Sequence, residues 1–350
     1  MNSMLKKKTV IDLFSGCGGL SQGFIDAGYD ITLGIDNWED AITTFKNNHK
    51  NSIGIVADLF KTTPTDIKEQ INISDVDVIV GGPPCQGFSI AGKRFIDDER
   101  NKLYKSFVDF VDFFKPKAFL LENVPNIISM GKGFFKDSIL EDFEKIGYTV
   151  NYKVLMASDF GVPQNRKRAF FIGIKDGKTF EFPEPLNEQK ITSEEAISDL
   201  PDLSINDNSQ YPLPCASEYQ KKIRNSTKRL FNHQLTNHKE KTVEIISMVP
   251  DGGNYKNLPE HLKDTRKVNI AWTRLNSQKP SFTIDTGHRH HFHYKFNRVP
   301  TVRESARIQS FTDDFIFLGS KTSQYKQVGN AVPPLLAKYL AIELKKYLDV

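Results

Sequence analysis

The stretch Thr9-Val10-Ile11-Asp12-Leu13-Phe14-Ser15-Gly16-Cys17-Gly18-Gly19-Leu20 decides the fold. An apolar run of strand length ends in a glycine-rich turn that opens a helix. Glycines in such a turn let a ligand approach the backbone, and the helix N-terminus offers N–H groups without intrahelical partners. The spacing differs from the dinucleotide G-x-G-x-x-G, which disfavours a nicotinamide cofactor. Outward from this turn, short apolar runs alternate with amphipathic stretches as far as residue 174. Strands are predicted at Thr9–Phe14, Ile31–Ile35, Ser52–Val56, Asp77–Gly81, Ala118–Glu122, Thr149–Met156 and Ala169–Ile174. Helices are predicted at Trp38–Asn48, Lys102–Phe114 and Phe134–Ile146, and the stripe Leu103, Phe107, Phe110 and Phe114 reads as core. Such βαβ alternation predicts an α/β fold with a doubly wound, mostly parallel sheet.

The chain has 350 residues, 39% hydrophobic and 26% charged, a balance that excludes disorder and suffices for a large core. No apolar run reaches the roughly 18–20 residues that span a bilayer, and the start lacks an apolar signal segment, so a soluble cytoplasmic protein is expected. Three cysteines, Cys17, Cys85 and Cys215, are too few for a disulfide framework or a four-ligand zinc site. The net charge of +4 is unevenly spread: 16 Lys and Arg face 7 Asp and Glu between Ala216 and Pro300, a local +9, and seven of the eight histidines lie there too. A basic region of this kind suits a polyanion such as nucleic acid, although a solvated lysine-rich surface has the same composition.

After Asp176 the composition turns to Pro, Asn, Ser and charge, which predicts a boundary near residue 180. The expected organisation is a domain over 1–180 completed by 325–350, a second domain over 181–300, and a return segment over 301–324. The last predicted helix is Pro333–Tyr347, with proline in its first turn.

The chemistry-bearing residues fall at strand ends. Asp36 follows the second strand, where nucleotide-binding α/β folds hydrogen-bond ribose hydroxyls, and Asp58 follows the third. The fourth strand runs into Gly81-Gly82-Pro83-Pro84-Cys85-Gln86-Gly87-Phe88-Ser89, where two prolines fix the backbone before a thiol and present Cys85 as a nucleophile. The fifth delivers Glu122-Asn123-Val124, and an acid after four apolar residues calls for a partner or a use. Gln164-Asn165-Arg166-Lys167-Arg168 precedes the last strand, and strand alternation would send Arg166 and Arg168 to one face as an anion or carbonyl clamp.

Together with Asp98-x-Arg100-x-x-Leu103, Arg303–Gln309 and Gln327–Val332, these segments form an ordered series that resembles the DNA (cytosine-5) methyltransferase family, bacterial restriction–modification type. The likeness spans nearly the whole chain except about 180–280. It implies a Rossmann-like fold dependent on S-adenosylmethionine, with a smaller target-recognition domain over 181–300. It further implies that the Cys85 thiolate adds to carbon 6 of a cytosine swung out of the duplex, Glu122 meeting ring N3, Arg168 the O2, and Arg166 supplying a positive field. For S-adenosylmethionine it implies Phe14 against the adenine and Ser15, Gly16, Cys17, Gly18, Gly19 and Leu20 around the methionine part. Asp36 would take the ribose, and Asp58 with Leu59 the adenine edge. Pro84, Leu103, Asn330, Ala331 and Val332 would complete the pocket. Asn37 stands where the family often has a bulky apolar residue and Trp38 comes one later, which leaves open the side chain that covers the adenine.

The expected partners are duplex DNA, contacted by the basic segment, and a cognate restriction endonuclease acting on the same site; the chain is expected to be a monomer without a metal. The cluster Gly287-His288-Arg289-His290-His291-Phe292-His293 lacks regular ligand spacing and reads as a DNA-facing or structural loop. A tRNA cytosine-5 methyltransferase shares the catalytic motifs, and a non-catalytic DNA-binding regulator shares the fold. The long variable region and Gly87-Phe88-Ser89 favour DNA over tRNA, and the intact Cys85, Glu122 and Arg168 favour an enzyme.

Overall fold

The computed structural model describes residues 7–71, 73, 75–84, 102–263, 272–287 and 291–348. The chain divides into two compact units, one formed by 1–156, 167–185 and 336–350, the other by 157–166 and 186–335.

The first unit is built on a seven-stranded sheet. Its strands are β1 (Thr9–Leu13), β2 (Asp30–Asp36), β3 (Ile53–Val56), β4 (Val78–Gly81), β5 (Ala118–Asn123), β6 (Tyr148–Met156) and β7 (Lys167–Lys175). The order is β3-β2-β1-β4-β5-β7-β6. The strands β1 to β5 pair in parallel, while β7 runs antiparallel to both β5 and β6. Helices α1 (Gly19–Asp26), α2 (Glu39–Asn48), α3 (Pro64–Ile71), α4 (Lys102–Phe114) and α5 (Phe134–Lys145) connect them. The fully buried runs of β1, β4 and β5 are what a sheet covered on both faces requires. On one face Phe107, Phe110, Phe119, Phe143 and Tyr148 form the core, with Phe119 and Phe143 stacked at 3.8 Å.

The chain leaves β1 for β2 and β3 on one side, then returns to β4 on the other. This reversal opens a crevice beyond the carboxyl ends of β1 and β4, the usual ligand position in such sheets. Because β7 is antiparallel, its first residues reach the carboxyl edge too: Ala169 pairs with Asn123 and Phe170 with Glu122.

Among the described residues of the second unit no element is long: the strands have two residues each and the helices at most ten. Its units of order are capping boxes at Thr192, Ser217 and Thr301 and a small apolar cluster around Ile246, Trp272 and Phe292. The expected organisation differs from this division at two places. Residues 301–335 pack within the second unit, because Arg303, Arg307 and Gln309 are hydrogen-bonded there, so 301–324 is no separate return segment and only 336–350 joins the sheet. Residues 157–166 also leave the first unit, since Gln164 and Asn165 pair with Ser281 and Phe282. Among the described residues no helix is long and apolar enough to cross a membrane.

Candidate active site

The turn after β1 is unusual from its first residue. Phe14 adopts φ +58°, a left-handed conformation that costs a non-glycine residue on the order of 1 kcal/mol or more and that tends to occur at functional sites. Gly16 and Gly18 follow at φ +53° and +93°. The Ser15 N–H donates to the Ile35 carbonyl at 2.9 Å and the Gly16 N–H to Asp36 Oδ2 at 2.9 Å, so β2 fixes the turn. The other Asp36 oxygen accepts the Trp38 N–H at 2.9 Å. Burial lifts the Asp36 carboxyl above its usual range, although these backbone bonds oppose it.

The residues present fit an adenosyl and amino-acid ligand. The buried Ser15 hydroxyl has no partner among the described residues, and nothing stands within 4 Å of the place where a Gly16 Cβ would be. A polar, close-fitting ligand would meet both. Cys17 is buried and its thiol is pushed up to about 12 by that burial, so it is no nucleophile. Gly18 caps α1, whose first residues Gly19 and Leu20 are buried. Asn37 is exposed and Trp38 half-buried. Asp58 opens a turn, its Oδ1 accepting the Phe60 N–H at 3.0 Å, and Leu59 is part of the core. Leu103 is half-buried on α4.

At the next crevice wall the structure brings β4, β5 and β7 together. The Asn123 amide donates to the Pro83 carbonyl at 3.1 Å and so fixes the Pro83-Pro84 turn. Gly82 faces Glu122 so closely that a Cβ there would stand 2.8 Å from Oε2. Glu122 Oε1 in turn pairs with Arg168 Nε at 2.9 Å, both side chains largely buried. Cys85 and the rest of its loop, with Asp98 and Arg100, lie outside the described residues, as do His288, Arg289 and His290.

Arg166 departs from its expected place beside Arg168. The strand is interrupted at Arg166, whose carbonyl accepts the Ala157 N–H, and the side chain turns into the second unit. There its Nη1 donates to the Ile284 carbonyl at 3.2 Å and its Nη2 to the Gly329 carbonyl at 2.9 Å, with 1% of the residue exposed. The physical reason is that Ile284 and Gly329 present buried carbonyls outside any ladder, and a guanidinium satisfies two at once. Gln164 accepts the Ile284 N–H at 2.9 Å and donates to the Gln309 side chain, and Gln309 in turn donates to the carbonyls of Val328 and Ala331. These motif residues are the frame that fixes Asn330, exposed, Ala331, half-buried, and Val332, buried.

The basic segment is less basic at its surface than its composition. Arg274 is buried on the carbonyls of Ile246, Val249, His293 and Phe296, and Arg298 on Glu304 and Asp202. Exposed charge comes from residues such as Lys221, Lys222, Lys228, Lys239, Lys241 and Lys295. Of the histidine cluster, His291 is buried beside Phe282, and His293 accepts the N–H groups of Lys295 and Phe296 at Nδ1. Burial pushes His293 down to about 3. Both are packing residues rather than DNA-facing ones.

Sequence reasoning missed two residues. Asp12 is buried behind the turn, accepts the Ser21 hydroxyl at 2.6 Å and is pushed up to about 7 by burial. An acid inside an apolar strand is the signal that could have found it. His49 packs behind Gly18 and carried no signal beyond its isolation from the other histidines.

A family model for C-5 cytosine-specific DNA methylases matches residues 8–346. Type II methyltransferase M1.HphI of Haemophilus parahaemolyticus is 42% identical over 336 residues, 95% of this chain and 85% of its own. Type II methyltransferase M.DdeI of Desulfomicrobium norvegicum is 39% identical over 377 residues, 97% and 89% of the two chains. Among solved structures, an Escherichia coli prophage protein assigned as a DNA modification methyltransferase matches with a TM-score of 0.82 at 28% identity, over 98% of this chain and 100% of its own. The Dnmt2 methyltransferase of S. pombe matches at 0.63 and 17% identity over 98% and 100%, a likeness of fold alone. One family model thus accounts for nearly the whole sequence whose turn, proline pair and Glu122–Arg168 pair have been described, and the chain belongs to the C-5 cytosine-specific DNA methylase family as a DNA cytosine-C5 methyltransferase.

Proposed function

We propose that the chain methylates carbon 5 of a flipped-out cytosine in a specific duplex sequence, with Cys85 as nucleophile and S-adenosylmethionine as methyl donor, and that it protects DNA from a nuclease of the same specificity. The observation that carries the reading is the junction at the carboxyl edge. Asn123 fixes the turn that precedes Cys85, and the same strand end holds Glu122 on Arg168. The Type II names of the relatives support the protective role.

Carbon 5 of cytosine is a weak nucleophile. Addition of the Cys85 thiolate to carbon 6 breaks the 5,6 double bond and turns carbon 5 into an enamine-like centre. Glu122 would meet N3 and stabilise the charge that develops there, held in orientation by Arg168, whose remaining donors suit the O2. S-adenosylmethionine, when bound, supplies an electrophilic methyl on a sulfonium. Ser15 and the open backbone at Gly16 would hold its amino-acid part, Asp36 its ribose and Phe14 its adenine. Loss of the carbon 5 proton to a base and departure of Cys85 from carbon 6 then restore the aromatic ring. The exposed lysines of the second unit would bind phosphates, which also offsets the unstacking of the base, about a few kcal/mol.

The test is transfer of labelled methyl from S-adenosylmethionine to duplex DNA and to tRNA in parallel. Label in DNA is expected, lost in Cys85→Ala and reduced about 10²–10⁴-fold in Glu122→Gln. Label in tRNA alone, or transfer that survives in Cys85→Ala, would overturn the reading.

A further inference from the structure

The turn that follows β1 is supported from behind by an aromatic pair on α2. The Phe45 ring lies on a surface stripped of side chains: a Cβ on Gly34 of β2 would stand 2.4 Å from its Cζ, and one on Gly54 of β3 3.2 Å from its Cδ1. His49, one helical turn later, meets that ring edge-on, centroids 4.6 Å apart at 65°. Beyond it lies Gly18, where a Cβ would stand 2.2 Å from His49 Nε2 and 2.9 Å from Phe45 Cδ2. Only 3% of His49 is exposed. Burial holds the imidazole down at about 4, so the ring is neutral at physiological pH.

We infer that His49 is a positioning residue that holds Gly18, and with it the Ser15–Gly18 turn, in the shape that receives the cofactor. The inference rests on reading that turn as the S-adenosylmethionine site. Two anchors from β2, Ile35 and Asp36, hold the start of the turn, while His49 secures its end, where the chain passes at φ +93° into α1. His49 acts through the volume of its ring, which fills the space between Phe45 and the Gly18 backbone.

The experiment is calorimetric titration of the full-length chain with S-adenosylmethionine and with S-adenosylhomocysteine, for wild type, His49→Phe and His49→Ala. His49→Ala is expected to weaken both ligands about tenfold or more, and His49→Phe, which keeps an aromatic ring in that space, to weaken them less. KM for S-adenosylmethionine should rise in step, with KM for DNA unchanged. The loss caused by Gly18→Ala should be smaller in the His49→Ala background, because the ring it strikes is gone. A purely structural histidine would lower the melting temperature and leave both Kd values alone; Kd values within twofold of wild type in both variants overturn the inference. Failure of the wild type itself to bind S-adenosylmethionine would remove the cofactor reading, and this one with it.

Discussion

The first unit fills its interior with phenylalanines on a seven-stranded sheet, whereas the second buries Arg303, Glu304, Arg307, Asp199 and Asp313. Arg307 lies between Asp199 and Asp313, with Nε and Nη2 on Asp313 at 3.0 and 2.7 Å and Nη1 on Asp199, all fully buried. Arg298 grips Glu304 with two bonds of 2.8 Å. The difference follows from the backbone. In the sheet the inner strands pair on both sides, so their carbonyls have ladder partners and the core needs only volume. In a unit of two-residue strands many carbonyls have none, and arginine, with five donors, satisfies them from the side: Arg303 bonds the carbonyls of Phe231, Thr312 and Phe315. Two paired charges in such a place are weak evidence of stability, but one of them alone is expensive.

That contrast can be broken most sharply at Arg307. The two tryptophans report the units separately, Trp38 in the first and Trp272 in the second. Arg307→Ala takes one of two guanidinium partners from each of Asp199 and Asp313, which keep Arg224 and Arg303, and should destabilise the second unit by about 3 kcal/mol, read as an earlier urea transition of Trp272 fluorescence.

Acid comes next in size. His293 titrates at about 3 in the folded state, against about 6.5 when unfolded, so its contribution is complete above 6.5 and is lost as pH falls towards 3. Glu304 and Asp313, both held below their usual range by arginines, and His233, held down by burial, act in the same sense. In the first unit the signs oppose each other. His49, at about 4, destabilises the fold as pH falls below 6.5. Asp12, at about 7, keeps in the folded state a proton that the unfolded chain loses, and so stabilises it over the same range. Each uncompensated group contributes about 1.4 kcal/mol per pH unit. Between pH 6.5 and 4.5 the Trp272 transition should therefore shift to lower urea more steeply than that of Trp38. Parallel shifts would refute the assignment.

Smaller effects belong to the first unit. Ile139→Val in the α5 core should lower its stability by about 0.5–1.5 kcal/mol in urea titrations. Glu122→Gln should change it by about 1 kcal/mol, because the amide still meets the Arg168 guanidinium. The role proposed for the ion pair of the first unit is chemical, while the pairs of the second compensate burial.

The sheet and its carboxyl edge follow from local pattern. Periodicity located all seven strands to within about two residues: the central ones are buried on both faces and apolar, and turn residues mark the ends of the others. Short-range chemistry placed Asp36, Glu122 and the proline pair at strand ends, since a charge or a rigid turn interrupts such a run. What Arg166, Arg274, Arg298 and Arg307 do depends on contacts that no local pattern shows. Their carbonyl and carboxylate partners lie as far as 163 residues away in the chain, as Gly329 does from Arg166, and composition counts Arg274 and Arg298 in the basic segment although both are buried. The same is true of His49, which touches Gly18 only because Gly34 and Gly54 let Phe45 lie flat on the sheet. Local pattern reports which surface an element buries, and the fold alone decides which distant group meets it there.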